Sequence, residues 1–348
     1  MGIGTHHRAT ESTARAVATL AWTACLLAVA ALLGACSAQA TTSGAAATVV
    51  APVASAAGAP SAKPAATPSA AGGDDWAHVL QVVANLKAQP PDEPVICLLG
   101  GSAARESTID DASWAAQINE LGGPSVVAYN LGSRNRTLEQ DVELVQALPK
   151  TRGIVYIGIN VGRFTAPPSH PTLDLPEPTA SLPPYRQHQY SQSKILSVAK
   201  KTSLLSDWLA TRYPVFKQNY ATCLKTLDKL VATCERRGLH PVLLELPRDT
   251  QIIGSALDAP VARFTTSCRA LARKHGIPWV SFVSAARLPN ADFYDLWHLV
   301  EPGRTVWQRL LSAKTVTLLD KYGLEDPEPA EPTPTPTPAP SPKETAAP

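Results

Sequence analysis

The chain has 348 residues, a formal net charge of +2 and a charged fraction of only 17%. This near-neutral balance, with no long basic run in the central part of the chain, excludes a nucleic acid or a strongly acidic macromolecule as the expected partner. Low-complexity ends leave about 250 residues, a size typical of one α/β domain.

The N-terminal segment, residues 1–36, has the pattern of an export signal. A weakly basic start precedes an apolar stretch over residues 16–33, and Leu-Gly-Ala-Cys follows at residues 33–36. This ending resembles a bacterial lipobox, which implies that Cys36 becomes the lipidated first residue of an exported lipoprotein. The protein would then sit at the extracytoplasmic face of the membrane. Two alternatives stay open: cleavage after Ala40, which gives a secreted protein, and retention of the apolar stretch as a membrane anchor.

Two further segments have compositions that do not form a core. Residues 37–73 consist almost entirely of Ala, Ser, Thr, Gly and Pro, which predicts a disordered tether. Residues 327–348 repeat Thr-Pro and Glu-Pro, which predicts a disordered, polyproline-like tail. The predicted folded domain therefore spans residues 74–326.

Apolar runs and helical periodicities alternate within this domain. Short apolar runs bounded by Gly, Pro or Asn predict buried strands at residues 95–99, 125–130, 153–159, 241–246 and 278–282. Amphipathic patterns predict helices at residues 76–87, 111–121, 137–148, 193–212, 213–237, 260–274 and 303–322. Strand–helix alternation predicts a parallel sheet covered on both faces, with a functional site beyond the carboxyl ends of its strands.

Residues 164–190 interrupt this alternation with a proline-rich stretch. An irregular insertion of this length is typical of a lid or binding loop, and its position after the third strand places it at the rim of the site. We interpret His170 and His188, both within it, as surface residues. No His, Cys and Asp cluster has zinc-site spacing, so we expect no metal.

Four cysteines lie in the domain, and export permits disulfides. Cys223 and Cys234 share one helix about 16 Å apart, too far to bridge one another. Either one pairs with Cys268 in the disulfide hypothesis, with Cys234 slightly favoured. The alternative is that these three and Cys97 are small buried apolar residues.

Two distant motifs carry the candidate chemistry. Ser102 follows the first predicted strand after two glycines that allow a sharp turn, which exposes its hydroxyl. Asp295 and His298 stand three residues apart, and in a helical turn they would share one face, so that the carboxylate orients the imidazole. A serine becomes a nucleophile when such an oriented base removes its proton.

Two intervening strand ends supply further polar groups. Gly132 follows the second predicted strand and Asn160 follows the third. At neighbouring strand ends, a glycine N–H and an asparagine amide would converge near Ser102. These are the donor types that stabilise a tetrahedral oxyanion.

In chain order, this set of motifs resembles the SGNH (GDSL-type) hydrolase family, named for its serine, glycine, asparagine and histidine. The resemblance covers most of residues 94–322 and is most specific at Phe-Tyr-Asp-Leu-Trp-His-Leu, residues 293–299. It implies a flavodoxin-like three-layer α/β/α domain with a five-stranded parallel sheet and no cofactor. It also implies a role for each motif residue: Ser102 as nucleophile, His298 as base, Asp295 as the group that orients it, and the Ser102 N–H, Gly132 and Asn160 as the oxyanion hole.

Two residues depart from the family pattern and indicate a divergent branch. Gly101 stands where the family usually has Asp, and Val161 follows Asn160 in place of the common Asp. The ordinary α/β-hydrolase motif, Gly-x-Ser-x-Gly, is a poorer match because Ala104 takes the place of its last glycine.

Three further residues are candidates for substrate binding. Arg105 and Arg163 lie just past strand ends, where they would bind a carboxylate or phosphate, or form ordinary salt bridges. Trp297 would contact an acyl or sugar group of the substrate, or pack beneath the loop that carries His298.

The expected activity is that of an exported esterase acting on acetyl or other acyl groups of cell-envelope or extracellular glycans. The acyl glycan or a small acylated molecule would be its substrate, and the lipid anchor would attach it to the membrane. The alternatives are an O-acyltransferase with the same triad and a non-catalytic glycan-binding or scaffold lipoprotein on this fold.

Overall fold

The computed structural model describes residues 74–182 and 188–324, so the predicted signal, tether and tail lie outside the described residues. A parallel sheet of five strands forms the centre of the described part. The strands are β1 (Val95–Gly100), β2 (Val127–Gly132), β3 (Gly153–Ile159), β4 (His240–Glu245) and β5 (Trp279–Ser281). Their order across the sheet is β2–β1–β3–β4–β5, the flavodoxin-like order, which confirms the predicted fold class.

Helices connect the strands and flank the sheet. They are α1 (Asp74–Ala88), α2 (Ser102–Arg105), α3 (Asp111–Glu120), α4 (Leu138–Ala147), α5 (Val198–Asp207), α6 (Tyr213–Arg236), α7 (Thr250–Ile253), α8 (Asp258–His275), α9 (Val283–Ala286) and α10 (Glu301–Lys321). Short 3-10 turns cover Val161–Phe164, Gln192–Lys194 and Asn290–Asp292, and a π-helical turn, Trp208–Arg212, joins α5 to α6. None of the described helices combines the length and apolarity needed to cross a membrane.

Side chains at the first turns explain where α3 and α4 begin. Asp110 accepts a hydrogen bond from the N–H of Ser113, at the start of α3. Thr137 and Gln140 form a reciprocal capping box at the start of α4. Each cap satisfies backbone N–H groups that have no partner within the helix, and losing such a cap costs roughly 1 kcal/mol.

The two faces of the sheet carry separate apolar clusters, because successive strand residues point to opposite sides. Along β1, Cys97 and Leu99 belong to the cluster that packs against α1, α4, α6 and α8. Ile96 and Leu98 belong to the cluster that packs against α3 and α10. Helices therefore cover both faces of the sheet, and the chain has the three α/β/α layers that were predicted.

Element boundaries differ from the sequence-based prediction at two places that matter for the site. Strand β2 ends at Gly132, whose Cα pairs with Gly100 of β1, so the strand continues two residues past the predicted end. Helix α10 begins at Glu301 and not at Gly303, because Pro302 fits the first turn of a helix, where its missing N–H leaves no bond unmade.

The predicted insertion, residues 164–190, is described except for residues 183–187. Past Thr165, its described residues contain no helix or strand. Its middle part lies along α1, where Gln81 donates to the Glu177 carbonyl and the Thr179 N–H donates to Asn85. His170 is exposed, as predicted.

His188 corrects the prediction of a surface position. Its side chain is only 22% exposed, and its ring lies between the Glu106 carboxylate and the Ile109 carbonyl. The two groups that bind the His188 ring, at Glu106 and Ile109, lie about 80 residues earlier in the sequence. The composition around His188 therefore could not indicate this position.

The four described cysteines are free and buried, which makes the disulfide hypothesis wrong for Cys223, Cys234 and Cys268. All four belong to the apolar cluster beside α1, α4, α6 and α8. Burial raises the pKa of Cys97 to about 12 and that of Cys223 to about 11, so these thiols stay protonated at neutral pH. They act as small apolar residues, the alternative stated above.

Candidate active site

Ser102 lies at the carboxyl end of β1, where the chain turns directly into the short helix α2. The N–H groups of Ala104 and Arg105 donate to the Gly101 carbonyl, 3.0 and 3.2 Å away, and close this turn. Gly100 permits it, since a Cβ there would lie 2.6 Å from the Ala104 side chain. The turn leaves Ser102 partly exposed while the next residues are buried.

Three of the predicted site residues meet in a continuous hydrogen-bonded chain. The Nε2 atom of His298 lies 2.8 Å from the Ser102 hydroxyl oxygen. On the other side of the ring, Nδ1 lies 2.9 and 2.8 Å from the two oxygens of Asp295. A carboxylate can only accept, so Nδ1 carries the proton and Nε2 is left as the acceptor of the Ser102 hydroxyl. Ser102 and His298 are 196 positions apart in the sequence, and the fold brings them into contact.

Asp295 and His298 lie in a tight loop and not in the helical turn that the sequence analysis assumed. An antiparallel bridge pairs Phe293 with Leu299 and closes the loop. One Asp295 oxygen accepts the N–H groups of Trp297 and His298, at 2.9 and 3.0 Å. An aspartate that bonds to the backbone a few residues ahead stabilises a turn without a helix. The sequence thus predicted that Asp295 and His298 are neighbours, but a loop and not a helical turn brings them together.

The same contacts keep Asp295 ionised. Burial by itself would raise the pKa of this carboxyl. The hydrogen bond and charge of His298, together with the N–H groups of Trp297 and His298, outweigh that effect and hold the pKa below its ordinary value of 3.8. The site therefore holds a carboxylate, and not a carboxylic acid, behind the imidazole at neutral pH.

Gly132 does not have the position predicted for an oxyanion donor. Its N–H donates to Asn130 at 3.0 Å, and it is absent from the wall of the cavity beside Ser102. A Cβ at this position would lie 2.4 Å from the backbone nitrogen of Arg105. Glycine is required here because β2 and α2 approach closely, and the donor role is wrong for this residue.

Asn130 fixes the backbone on both sides of that close approach. Its side-chain amide donates to the Ala104 carbonyl and to the Thr108 hydroxyl, both at 2.8 Å, and its carbonyl accepts the Gly132 N–H. The two donated bonds tie the end of β2 to the α2 region, and the accepted bond holds the last residue of β2 itself. Asn130 thereby holds in place the turn that presents Ser102.

Asn160 lies where the sequence predicted it, at the end of β3 in the wall of the same cavity. Its side-chain oxygen accepts the backbone N–H of Arg163 at 3.2 Å, which starts a 3-10 turn. Because that bond engages the oxygen, the amide NH₂ is the group left to donate into the cavity.

Asn135 is a wall residue that the sequence analysis missed. Its φ of +56° is in the left-handed region, where asparagine is among the few tolerated residues other than glycine. It lines the cavity together with Ser102, and its N–H has no hydrogen bond within the described part of the chain. One feature of the sequence could have indicated Asn135: it is an asparagine in a polar run after a buried strand, a pattern that favours left-handed turns.

The cavity beside Ser102 has a volume of about 210 Å³. Trp297 lines it, and its contact with a substrate stays a prediction. Trp208, from the π-helical turn, lines it as well and was not predicted. Single π-helical turns are frequent at functional sites because they shift one side chain out of register with the helix. The wall thus combines two indole rings with the polar groups of Asn135 and Asn160.

Arg105 does not line this cavity, so its predicted contact with substrate is wrong. The side chain is buried beneath the Ser102 turn, where it lies 2.5 Å from Asp75 and 2.9 Å from Glu106. A guanidinium held by two buried carboxylates is part of the structural support of the turn.

Arg163 lines the cavity, but its guanidinium faces the protein interior. It contacts Asp141 and donates to the Arg136 carbonyl at 2.5 Å, and only 4% of its side chain is exposed. The substrate-binding prediction is wrong for this guanidinium. Arg163 instead connects the Asn160 turn, through its N–H, to the Asn135 loop, through the Arg136 carbonyl.

The loop of Asp295 and His298 rests on a fully buried lysine, Lys201 of α5. Its ammonium group donates to the carbonyl oxygens of Asn290 and Phe293, at 2.9 and 2.8 Å, and to Asp249 at 3.2 Å. The Asp249 N–H in turn donates to the Leu296 carbonyl at 3.0 Å. These bonds attach α5 and the start of α7 to the histidine loop.

Replacing Lys201 by methionine is expected to lower the free energy of unfolding by about 3–5 kcal/mol, because Asp249 would stay buried without its cation. Urea unfolding followed by circular dichroism measures this loss. Lys200→Met is the matched control, since Lys200 is an exposed neighbour on the same helix. A loss for Lys201→Met no larger than that of the control would show that the buried pair contributes nothing.

Within residues 74–182 and 188–324, no group of three or more His, Cys, Asp or Glu side chains is arranged to hold a metal ion. The chemistry available at the cavity is that of a hydroxyl, an oriented imidazole, a carboxylate and nearby N–H donors.

Comparison with known proteins gave structural neighbours only. No family model and no curated protein matches the chain. A putative acylhydrolase from Bacteroides fragilis is 15% identical over 73% of this chain and 100% of its own, with a TM-score of 0.37. A lipolytic protein of the G-D-S-L family from Veillonella parvula is 14% identical over 62% and 96%, with a TM-score of 0.36. A GDSL-like lipase from Bacteroides thetaiotaomicron is 11% identical over 71% and 99%, with a TM-score of 0.37.

Proposed function

We propose that the chain is a serine esterase of the SGNH type, with Ser102, His298 and Asp295 as its catalytic triad. The hydrogen-bonded order carboxylate, imidazole, hydroxyl carries this proposal. Each contact has the length and the donor–acceptor order that activation of a serine requires. The succession of strand-end motifs in the sequence supports the family assignment.

The reaction follows from this order of groups. The Ser102 oxygen attacks the ester carbonyl carbon while its proton passes to Nε2 of His298, and Asp295 stabilises the imidazolium. The tetrahedral intermediate collapses, the alcohol leaves with that proton, and an acyl-enzyme remains on Ser102. Water then attacks the acyl carbon and gives a proton to His298. When this second tetrahedral intermediate collapses, His298 returns that proton to the Ser102 oxygen, and the carboxylic acid leaves.

The negative charge on the tetrahedral oxygen needs hydrogen-bond donors in the cavity wall. We assign this role to the backbone N–H groups of Ser102 and Asn135 and to the side-chain amide of Asn160. All three residues line the cavity, and Asn135 takes the place that the sequence analysis gave to Gly132.

The substrate we propose is an acyl group, most simply acetyl, on a cell-envelope or extracellular glycan. The cavity volume of about 210 Å³ suits a small group. The indole rings of Trp208 and Trp297 offer apolar faces, and the amides of Asn135 and Asn160 offer polar contacts, as a sugar requires. The signal pattern before Cys36 supports a location at the extracytoplasmic face of the membrane, with a secreted form as the alternative.

Labelling with a fluorophosphonate tests the triad. The reagent bonds covalently to an activated serine, so we expect one equivalent bound, with peptide mapping locating it at Ser102. Ser102→Ala should not react, whereas Ser193→Ala, a change at an exposed serine, should react like the unaltered protein. Labelling of Ser102→Ala would refute the assignment by showing another reactive nucleophile, and labelling of neither protein would refute it in favour of a non-catalytic glycan-binding protein.

Product analysis separates the hydrolase from the acyltransferase, because the same triad serves both. The purified protein receives an acetyl ester donor with and without an oligosaccharide. Free acetate in both cases supports the proposed hydrolase. Acetylated sugar formed at the expense of acetate would identify a transferase, in which a sugar hydroxyl replaces water.

A further inference from the structure

An aromatic ring from the predicted insertion covers the imidazole of the triad. The ring centroid of Tyr190 lies 4.6 Å from that of His298, with an interplanar angle of 38°. Tyr190 also stacks on Tyr294, at 4.3 Å and 22°. Tyr294 belongs to the same loop as His298, so one tyrosine contacts both the base and the segment that carries it.

Tyr190 is held in this position through its backbone and its neighbour. The Arg304 guanidinium donates to the Tyr190 carbonyl at 2.8 Å. The N–H of Gln189 donates to the Glu106 carboxylate at 3.1 Å. We call residues 188–190 the strap, since they cross from the insertion onto the histidine loop.

Glu106 joins the strap to the turn that presents Ser102. It is fully buried, lies 2.5 Å from Arg304 and follows α2 directly. Burial by itself would raise the pKa of Glu106. The bonds from His188 and Gln189 and the charges of the two neighbouring arginines outweigh that effect and lower it. An ionised, fully paired carboxylate therefore holds the strap and the nucleophile turn in one fixed relation.

Stacking on a neutral ring acts most strongly on the state in which the imidazole is charged. His298 becomes an imidazolium only while it holds the Ser102 proton, and an aromatic face attracts a cation. Burial, together with the charge of Asp295, raises the pKa of Tyr190, so its phenol stays neutral. The contact thus stabilises the transition state more than the resting state, which is the condition for a faster reaction.

We propose that Tyr190 is a positioning residue of the site: packed against His298 with a tilt of 38° between the rings, and held by Glu106 and Arg304, it fixes the plane of the imidazole and stabilises its protonated form. This inference rests on the proposed triad. It assigns a role to the strap that the triad residues alone do not require.

The test compares two substitutions at one position. Tyr190→Phe keeps the aromatic face and should retain nearly the full kcat for hydrolysis of an activated acetyl ester. Tyr190→Leu removes the face and should lower kcat by roughly 2- to 30-fold. KM should change by less than about twofold, because the contact acts on the base and not on the bound ester. Tyr190→Met provides a second non-aromatic side chain if the leucine variant does not fold.

Tyr322→Leu is the matched control. Tyr322 stacks on His240 at 4.0 Å. His240 is the first residue of β4, so it lies at the amino ends of the parallel strands, whereas Ser102 lies at their carboxyl ends. This variant removes a tyrosine–histidine stack outside the site and should leave kcat unchanged. Urea unfolding confirms that each variant is folded.

Three outcomes would overturn the inference: equal loss in the Phe and Leu variants, no loss in folded non-aromatic variants, or a rise in KM with kcat unchanged. Failure of the triad itself is distinguishable. In that case the unaltered protein would not bind fluorophosphonate at Ser102, whatever residue stands at position 190.

Discussion

His298→Ala should lower kcat for ester hydrolysis by about 10⁴- to 10⁶-fold, the loss expected when a serine nucleophile is left without its base. The residues that the structure describes offer no substitute. The groups that line the cavity besides His298 are indoles, asparagines, arginines and small residues, and none of them accepts a proton at neutral pH. The Ser102 hydroxyl would then attack with its proton still bound.

Steady-state kinetics on an activated acetyl ester, together with the rate of fluorophosphonate labelling, measure this loss. His170→Ala is the control, because His170 is an exposed histidine in the insertion. The His298 side chain contacts Asp295, Ser102 and Tyr190, but the backbone bonds that close its loop remain in the variant, which should therefore unfold at a urea concentration close to that of the unaltered protein. A His298→Ala variant that stays within about tenfold of full activity would exclude the proposed base.

The sheet and the three residues of the proposed triad could be predicted because the signal of each is local. A strand buried on both faces is a short apolar run, and five such runs alternate with helical periodicities along the chain. In a parallel sheet, the ends of neighbouring strands meet at one edge, so strand-end residues such as Ser102 and Asn160 could be placed near each other without coordinates.

The proposed oxyanion donors could not all be predicted, because Gly132 and Asn135 both lie in the stretch that ends β2, and the sequence does not show which of them faces the cavity. Gly132 is the glycine after the second predicted strand, yet it meets the backbone of α2 and not the cavity. Asn135 reaches the wall only because its backbone has a positive φ. The residue type shows that an asparagine tolerates a positive φ. The path of the loop decides which residue adopts it.

The arginines show a second limit of sequence reasoning. A guanidinium just past a strand end is compatible with a substrate contact and with a buried ion pair. Arg105 and Arg163 are both buried ion pairs here, with partners at Asp75, Glu106 and Asp141. Asp75 and Glu106 lie 31 residues apart in the sequence, so no local pattern could identify them as partners of one arginine. Both arginines stabilise the backbone that presents the reactive groups.

Asp295→Asn should lower kcat by about 10⁴-fold while leaving the fold intact. Asparagine has nearly the same shape, and its carbonyl oxygen can still accept the N–H groups of Trp297 and His298 that shape the loop. Its amide can instead donate to Nδ1 of His298. That bond favours the tautomer with the proton on Nε2, which then cannot accept the Ser102 proton. The asparagine also lacks the charge that stabilises the imidazolium.

The wild-type carboxylate makes a pH series informative. Its pKa is held below 3.8, so it stays ionised at pH 5 and above, and a loss of activity between pH 8 and pH 5 should not come from Asp295. The deficit of Asp295→Asn should therefore remain similar at every pH from about 5 to 8. Asp292→Asn, the same change in the turn just before the loop, is the control and should retain full kcat. An Asp295→Asn variant as active as this control would mean that His298 is oriented by other contacts, such as the stack on Tyr190.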